Sequence, residues 1–360
     1  MGQNTPRFKL NYLPPPRENV ETIDILRQTN KSTAVLAELK GIAMTIPNQS
    51  MLINAVVLQE AKDSSEIENI ITTQDDLYKA LALNKSTLSP QTKEVVNYRK
   101  AIFYGYELAK KQGFIKVNDI ISIQQELVNN TAGIRSTPGT VLKNDKTGKI
   151  VYTPPQDKAE ILDLLTNFIN HYNQTDNELS PLINLAILHF QFESIHPFYD
   201  GNGRTGRILN ILYLILNGLL DVPILYLSSY IIKNKSEYYR LLNRTNQDGM
   251  WENWIMFMLR AIEETSKDTI FRITNIKDLL DKTIIKVKNE SPKIYRKELV
   301  ELLFEQPYSK IDFVVNRLGV ERKAASRYLK ELENKGVLES HKIGRETLYI
   351  NKELIEILKH

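Results

Sequence analysis

The chain contains no cysteine, which excludes disulfides and thiolate zinc sites and fits a reducing cytosol. It also lacks a long apolar run. The most apolar stretch, Ile208 to Leu220, is about 13 residues before Asp221 and Pro223, whereas a bilayer span needs about 20. That stretch predicts a buried helix and no membrane span. Met1 to Asn11 has no apolar core of the kind a signal peptide carries, so a cytoplasmic protein is expected. There is no H-E-x-x-H pattern and no clustering of acids with histidines that would suggest zinc. Charge of one sign is scarce too: a net +4 is too mild to argue for nucleic acid on its own. At 360 residues, 42% of them hydrophobic, the chain suffices for two or three globular domains.

Glycine is sparse, 15 in all, yet three fall within six residues. They belong to His196-Pro197-Phe198-Tyr199-Asp200-Gly201-Asn202-Gly203-Arg204-Thr205-Gly206-Arg207. Apolar runs flank this stretch, Leu182 to Ile195 before it and Ile208 to Leu220 after it, so it reads as a loop between two helices. Glycines let backbone N–H groups converge, and a helix starting near Thr205 turns its positive end toward the loop. Arg204 and Arg207, three apart, share a face of the first turn. Two cations there oppose the helix dipole, which points to a strong anion facing them. The residues thus predict a phosphate site with an adjacent base, His196, and a hard-oxygen metal ligand, Asp200. A Walker loop would need Gly-Lys-Ser/Thr after a strand, and a Rossmann loop a strand before the glycines. Neither is present. What remains is a helical phosphate-binding loop with its own base.

The other elements follow from periodicity and punctuation. Residues 1–20, with three consecutive prolines at 14–16, predict an extended arm. Helices are expected over 22–41, 51–71, 91–113, 117–128, 157–172, from Ser180 to His196, 231–246 and 251–285, with loops at 84–90 and a linker at 286–292. Ser64 and Glu68 are four apart on the second helix, hence on one face; alone, they read as any polar helix face. His171 and His189 read as helix residues, packed or exposed, and not as ligands. Asn144 to Gly148 predicts the turn of a hairpin joining 139–142 to 149–153, either a surface ribbon or a flap over a cleft. Tyr238 and Asn246, eight apart, lie on one helix face. Beyond residue 290, helix, helix, a Gly319 turn, a basic helix over 322–335 and a closing hairpin form a winged helix-turn-helix pattern. From 317 to 345 eight Lys/Arg stand against four Glu, a balance that permits DNA contact and equally permits a protein partner.

The 196–207 stretch resembles the signature of the Fic-domain family, His-x-Phe-x-Asp/Glu-Gly-Asn-Gly-Arg-x-x-Arg, and matches every fixed position. Ser64, Glu68 and Asn69 resemble the family's inhibitory Ser/Thr-x-x-x-Glu-Gly/Asn helix, and the 139–155 hairpin resembles its flap. The resemblance covers roughly residues 50–265, with a winged-helix tail found in bacterial members. It implies a mainly α fold: an N-terminal arm and helical region (1–110), a Fic helical core with a small hairpin flap (111–285), and a C-terminal winged helix-turn-helix (290–360). It implies transfer of AMP from ATP to a hydroxyl of a target protein and of the enzyme itself. In that scheme His196 is the base and Asp200 the Mg²⁺ ligand. Gly201, Asn202, Gly203, Arg204, Thr205, Gly206 and Arg207 hold the phosphates. Tyr238 and Asn246 flank the adenosine. Phe198 packs under the loop. Glu68, paired bidentate with Arg207, would hold the enzyme off; removal of AMP from a target is a variant of the same chemistry. A nucleotide-sensing DNA-binding regulator is the alternative, and a homodimer is left open.

Overall fold

A computed structural model of the chain describes residues 10–83, 88–143, 148–174 and 178–359. The expected arm at 1–9, part of the 84–90 loop and the hairpin turn at 144–147 lie outside the described residues. From residue 10 the arm is pinned to the body: Leu13 exchanges two hydrogen bonds with the Asn167 side chain, and the Asn11 carbonyl accepts from Gln191.

Fifteen helices are present among the described residues. The N-terminal region holds α1 (Ile23–Ala43), α2 (Gln49–Ile67), α3 (Gln74–Leu83) and α4 (Pro90–Gln112). Their starts follow the sequence signals: Thr22, Asn48 and Ser89 each accept a backbone N–H of the first turn, which satisfies donors a helix leaves free. α5 (Val117–Val128), α6 (Lys158–Tyr172), α7 (Pro181–Ile195) and α8 (Asn202–Leu216) form the middle. α7 is buried from Leu182 to Ile195 without a polar face, as a helix enclosed on all sides must be. α8 packs against it, with α4 and α5 on its other side. The flap is a two-stranded ribbon, β1 (Leu142–Lys143) and β2 (Ile150–Tyr152), antiparallel with Leu142 opposite Tyr152.

Three expectations are corrected here. The helix foreseen over 231–246 is two, α9 (Ser228–Lys233) and α10 (Lys235–Asp248). They part at Asn234, whose backbone leaves the helical region and whose amide instead binds the Tyr230 carbonyl. The linker at 286–292 is largely helix: α11 runs unbroken from Trp251 to Glu290, with α1 packed along it. The helix foreseen over 51–71 stops at Ile67, because Asn69 adopts a left-handed conformation (φ 62°).

The C-terminal unit contains α12 (Lys297–Glu305), β3 (Tyr308–Ser309), α13 (Ile311–Leu318), α14 (Arg322–Asn334), β4 (Glu339–Ile343), β5 (Glu346–Ile350) and α15 (Lys352–Lys359). Its sheet order is β3-β5-β4, all antiparallel. Helices α13 and α14 meet at Gly319, and the expected helix-turn-helix with a wing is present. The strand β3 and helix α15 carry no strong local signal and were not foreseen. No helix among the described residues is long and apolar enough to cross a membrane.

Candidate active site

The site begins where α7 ends. His196 takes a left-handed conformation (φ 49°, ψ 59°), and its N–H closes back on the Phe192 carbonyl at 3.0 Å. A β-carbon makes this conformation unfavourable, and Arg135 over-determines it. Arg135 is fully buried; its Nε donates to the His196 carbonyl at 2.7 Å, Nη2 donates to the Ile195 carbonyl and to that of Pro155, and its own N–H meets Pro197. Phe198 is wholly enclosed beneath the loop, paired with Ile134. Sequence reasoning missed Arg135, a lone arginine among glycine and proline with no local pattern to mark it.

α8 starts at Asn202, three residues earlier than the sequence suggested. Asn202 closes the loop with both halves of its amide: Oδ1 accepts from the Phe198 N–H and Nδ2 donates to the Phe198 carbonyl, each at 2.8 Å. Its observed role is to shape the loop. Gly201 is left-handed (φ 79°) and caps the helix. The first backbone N–H groups of α8 then point out of the loop, an arrangement that attracts anions.

Glu68 brings a carboxylate to the side of this first turn. A β-carbon on Gly203 would lie 2.4 Å from Glu68 Oε1, so only glycine lets the carboxylate come this close. The same oxygen accepts from Arg207 Nη2 at 2.9 Å. Ser64 takes the rest of the guanidinium, Nε on its hydroxyl at 2.7 Å and Nη2 on its carbonyl at 2.9 Å. The bidentate Glu68–Arg207 pair is thus corrected to a single hydrogen bond, with Ser64 holding the other side. Glu68 is the residue just past the end of α2, not part of its regular turns, and Asn69 accepts from Lys235. Burial would raise the Glu68 carboxyl, but the Arg207 charge and hydrogen bond, with Arg204 and Lys235 nearby, hold it below its ordinary value.

Arg204 and Arg207 are both 2% exposed and flank Gly203 with different partners. Arg204 Nη1 binds Glu94 of α4 at 2.9 Å and Nη2 reaches Asp200 at 3.4 Å. Glu94 had no sequence signal. Asp200 is 72% exposed. Its Oδ1 takes the Gly201 N–H at 2.6 Å, Arg204 approaches that same oxygen, and Gln124 holds its carbonyl. Its second carboxylate oxygen has no partner among the described residues. No group of three or more metal-ligating side chains occurs among them. One outward carboxylate fits Mg²⁺, a cation held through one or two carboxylates plus substrate phosphates and water. Thr205 is buried with its hydroxyl unpartnered.

His196 Nδ1 is enclosed without a hydrogen-bond partner of good geometry. Burial first, and the Arg135 charge second, push its pKa down to about 4, against the pull of Glu68 and the Glu193 backbone. The ring is neutral at pH 7, the state a base requires. Below it, Glu193 is buried with Oε1 unpartnered, and burial pushes its carboxyl up to about 7 despite Arg207. It presses on Gly206, where a β-carbon would lie 2.6 Å from Oε1. Sequence reasoning did not single out Glu193, since an acid in an apolar helix is visible but its neighbour across the fold is not.

Tyr238 and Asn246 lie on α10. Tyr238 is 1% exposed, packed among Trp254, Phe257 and Tyr239, and its hydroxyl meets His189 Nε2 at 2.9 Å. It packs as a core residue in this structure. Asn246 accepts from Ser194 at 3.3 Å, one residue from Glu193. His189 also stacks on Trp254, and burial pushes it down to about 3; His171 is buried on Asn184. Neither histidine is near the loop's open side. The flap base is fixed by Tyr152, whose hydroxyl donates to the Ser194 carbonyl at 2.9 Å, and by Gln156, which binds Gly139, Thr140 and Pro154.

Three family models match separate parts of the chain. Residues 26–107 match Fic/DOC family N-terminal, 114–214 match Fic/DOC family, and 279–354 match Protein adenylyltransferase SoFic-like, C-terminal domain. The chain is 25% identical over 209 residues to Protein adenylyltransferase Fic of Drosophila mojavensis, covering 52% of this chain and 39% of that protein. It is 26% identical over 200 residues to a probable protein adenylyltransferase of Aquifex aeolicus, covering 53% and 56%. The match thus spans between about two fifths and about half of those relatives' length. Among solved structures, a Fic family protein from Desulfovibrio desulfuricans aligns with TM-score 0.59 at 18% identity, over 94% of this chain and 98% of that one. Fic-1 from C. elegans aligns with TM-score 0.54 at 18% identity, over 71% and 74%. The two Fic/DOC models together take in half of the chain, from α1 to α8, including the whole loop and the residues that touch it, and the chain belongs to the Fic/DOC family.

Proposed function

We propose that the protein is a protein adenylyltransferase, moving AMP from ATP to a Ser, Thr or Tyr hydroxyl of a target protein and of itself, and held off by Glu68. The observation that carries this is a neutral His196 on the same loop as Arg207, whose guanidinium already holds the Glu68 carboxylate over Gly203. In the reaction the hydroxyl oxygen attacks the α-phosphorus, the bond to the bridging oxygen breaks, and pyrophosphate leaves. His196 takes the hydroxyl proton. The N–H groups of Gly203 and its neighbours hold the α-phosphate, where charge grows. Arg204 and Arg207 serve the outer phosphates. Mg²⁺, when bound through Asp200, supplies charge neutralisation between the α- and β-phosphates. The flap aligns a target segment as an added strand.

Inhibition follows from competition. A carboxylate and a phosphate cannot share Arg207 and the α8 N-terminus, so Glu68 must leave before the γ-phosphate settles. Incubation with α-labelled ATP and mass spectrometry of the products test the activity: AMP on the protein, lost in His196→Ala, is the expected result. Phosphate alone, UMP from UTP, or no label in both the wild type and Glu68→Gly would reject it. The same incubation with pre-modified protein registers removal of AMP, the variant in which Glu68 positions water.

A second reading concerns the C-terminal unit. Lys323 and Lys330 on one face of α14, and Lys342 and Arg345 at the wing, are exposed and have no ionic partner among the described residues. Unpaired cations on a recognition helix and a wing suit the phosphates of duplex DNA. Binding of labelled duplex that falls steeply with salt would support this; binding equal in Lys323→Ala/Lys330→Ala would reject it. A cytoplasmic setting and a homodimer remain compatible with this reading, and neither is needed by it.

A further inference from the structure

We propose that the C-terminal unit clamps the inhibitory helix α2, with Glu305 and Gln74 as positioning residues that keep Glu68 on Arg207. This rests on the reading of Glu68 as inhibitor.

One face of α2 belongs to the catalytic core. Glu60 accepts from the Ser228 N–H at 3.1 Å, from the Ser228 hydroxyl and from Tyr98 at 3.1 Å, and Ser64 and Glu68 hold Arg207. The other face belongs to the C-terminal unit, and it is gripped at its start and at its middle. At the start, Asn48 caps α2 through Oδ1 and donates its Nδ2 to the buried carboxylate of Glu305, at the end of α12. One turn on, Asn54 Nδ2 reaches the Glu305 carbonyl at 3.4 Å, and Arg99 of α4 holds the Asn54 oxygen at 2.6 Å. Arg317 of α13 pairs with the same Glu305 carboxylate. The first turns of α2 and the helix-turn-helix therefore share one buried anion.

At the middle of the helix the contact is a chain of hydrogen bonds. Gln74 Nε2 donates to the Leu358 carbonyl of α15 at 3.0 Å and to the Gln59 side-chain oxygen. Gln59 donates in turn to Asp63 at 2.9 Å, and Asp63 adjoins Ser64, which grips Arg207. α3 is fastened to the same unit. Tyr78 stacks on Tyr308 with centroids 5.3 Å apart and planes 6° from parallel, and the Tyr308 hydroxyl donates to Asp75 at 2.6 Å.

The geometry makes α2 a bar of about 28 Å, fixed at its first turns by Glu305 and at its middle by Gln74 through Gln59, with Glu68 at its tip. Moving the C-terminal unit off α2 takes the buried Glu305 carboxylate away from Asn48 and the Leu358 carbonyl away from Gln74, the residue that holds Gln59. Glu68 sits on the core by a single hydrogen bond to Arg207, so loss of either support shifts it outward. Coupling of this kind is reciprocal: whatever loosens Glu68 also loosens the C-terminal unit.

The test uses the full chain with Glu305→Ala and Gln74→Ala, each alone and combined with Glu68→Gly. Self-adenylylation from α-labelled ATP and amide hydrogen exchange at residues 60–68 are followed together, with thermal unfolding as a control. Each single variant is expected to raise the rate about three- to tenfold, the scale of one lost hydrogen bond, and to speed exchange at 60–68 while α7 and α8 stay protected. In the Glu68→Gly background neither should raise the rate further. Gln74→Ala, at a half-buried position, keeps the test open if Glu305→Ala unfolds. Unchanged rates and unchanged exchange overturn the clamp, as does an equal rise in the Glu68→Gly background, which would mean action by another route. If Glu68→Gly alone fails to activate, the inhibitory reading has failed instead; exchange at 60–68 then decides the clamp by itself, faster exchange supporting it and unchanged exchange overturning it.

Discussion

Two carboxylates reach the first turns of α8 through two glycines, and they end in opposite states. Glu68 comes from outside, lies over Gly203, is about one third exposed and hydrogen-bonds Arg207. Its carboxyl is held below its ordinary value. Glu193 comes from inside, lies against Gly206, is buried, and has an oxygen without a partner. Its carboxyl is pushed up to about 7. Both feel the same arginine, so the difference lies in hydrogen bonding and water. A carboxylate with a direct guanidinium contact and a solvent edge stays charged, whereas one that only senses the charge through the protein interior keeps its proton up to about pH 7. Only the charged one can imitate a phosphate.

The largest effects should come from the residues that do the chemistry. His196→Ala is expected to abolish AMP transfer while leaving the thermal midpoint near the wild-type value, since the ring's Nδ1 makes no bond that would be lost. Enzyme assay and calorimetry check this together. Next is Gly203→Ala, whose β-carbon would collide with Glu68 Oε1 at 2.4 Å and stand 3.0 Å from Arg207 Nη1. It should expel Glu68 and obstruct a phosphate at once. ATP affinity measured by calorimetry should therefore drop at least about tenfold, with no activation. Activation matching Glu68→Gly would mean that the two anions do not share the position.

A smaller effect separates the two carboxylates by pH. Glu193 has a folded pKa near 7, above the ordinary 4.5. The folded state thus binds the extra proton, and the stability this gives is complete below about pH 4.5 and lost as pH rises through 7. Glu193→Gln keeps the shape and removes the charge. It should raise the unfolding midpoint at pH 8 and change it little at pH 5. Glu68 has a lowered pKa, so its pairing contributes above its ordinary pKa and fades as acid protonates it; Glu68→Gln should cost stability at pH 7 and little well below pH 4. Equal pH dependence in the two variants would erase the contrast drawn here. The smallest expected change is in Asn69→Gly, where the left-handed φ of 62° already suits glycine. It should leave self-modification within about twofold, as only the contact with Lys235 is lost.

Much of this was legible before any coordinates. The loop announced itself because chemistry-bearing residues were crowded into twelve positions between two apolar helices. Ser64 and Glu68 were legible only in company, as helical spacing puts them on one side without saying what they face. The fold adds that the helix stops at Ile67 and that Ser64, not a second Glu68 contact, completes the grip on Arg207. Arg135, Glu94 and Glu305 were not legible. Each acts on a partner between 12 and about 257 residues away, and no period or cap encodes such distances. A tyrosine at helical spacing such as Tyr238 looks the same in sequence whether it lines a cleft or fills a core. That the Asn202 amide closes its own loop is likewise visible only in the fold.

The central claim is that Glu68 holds the nucleotide site by imitating a phosphate on Arg207. The most direct measurement is the initial rate of AMP incorporation from α-labelled ATP by purified wild-type and Glu68→Gly protein, at equal concentration and saturating Mg²⁺. Losing a charge-assisted hydrogen bond of about 1.5–3 kcal/mol predicts a rise of at least about tenfold in the variant, abolished again by adding His196→Ala. A Glu68→Gly protein no faster than wild type, with ATP bound equally well by both, would contradict it.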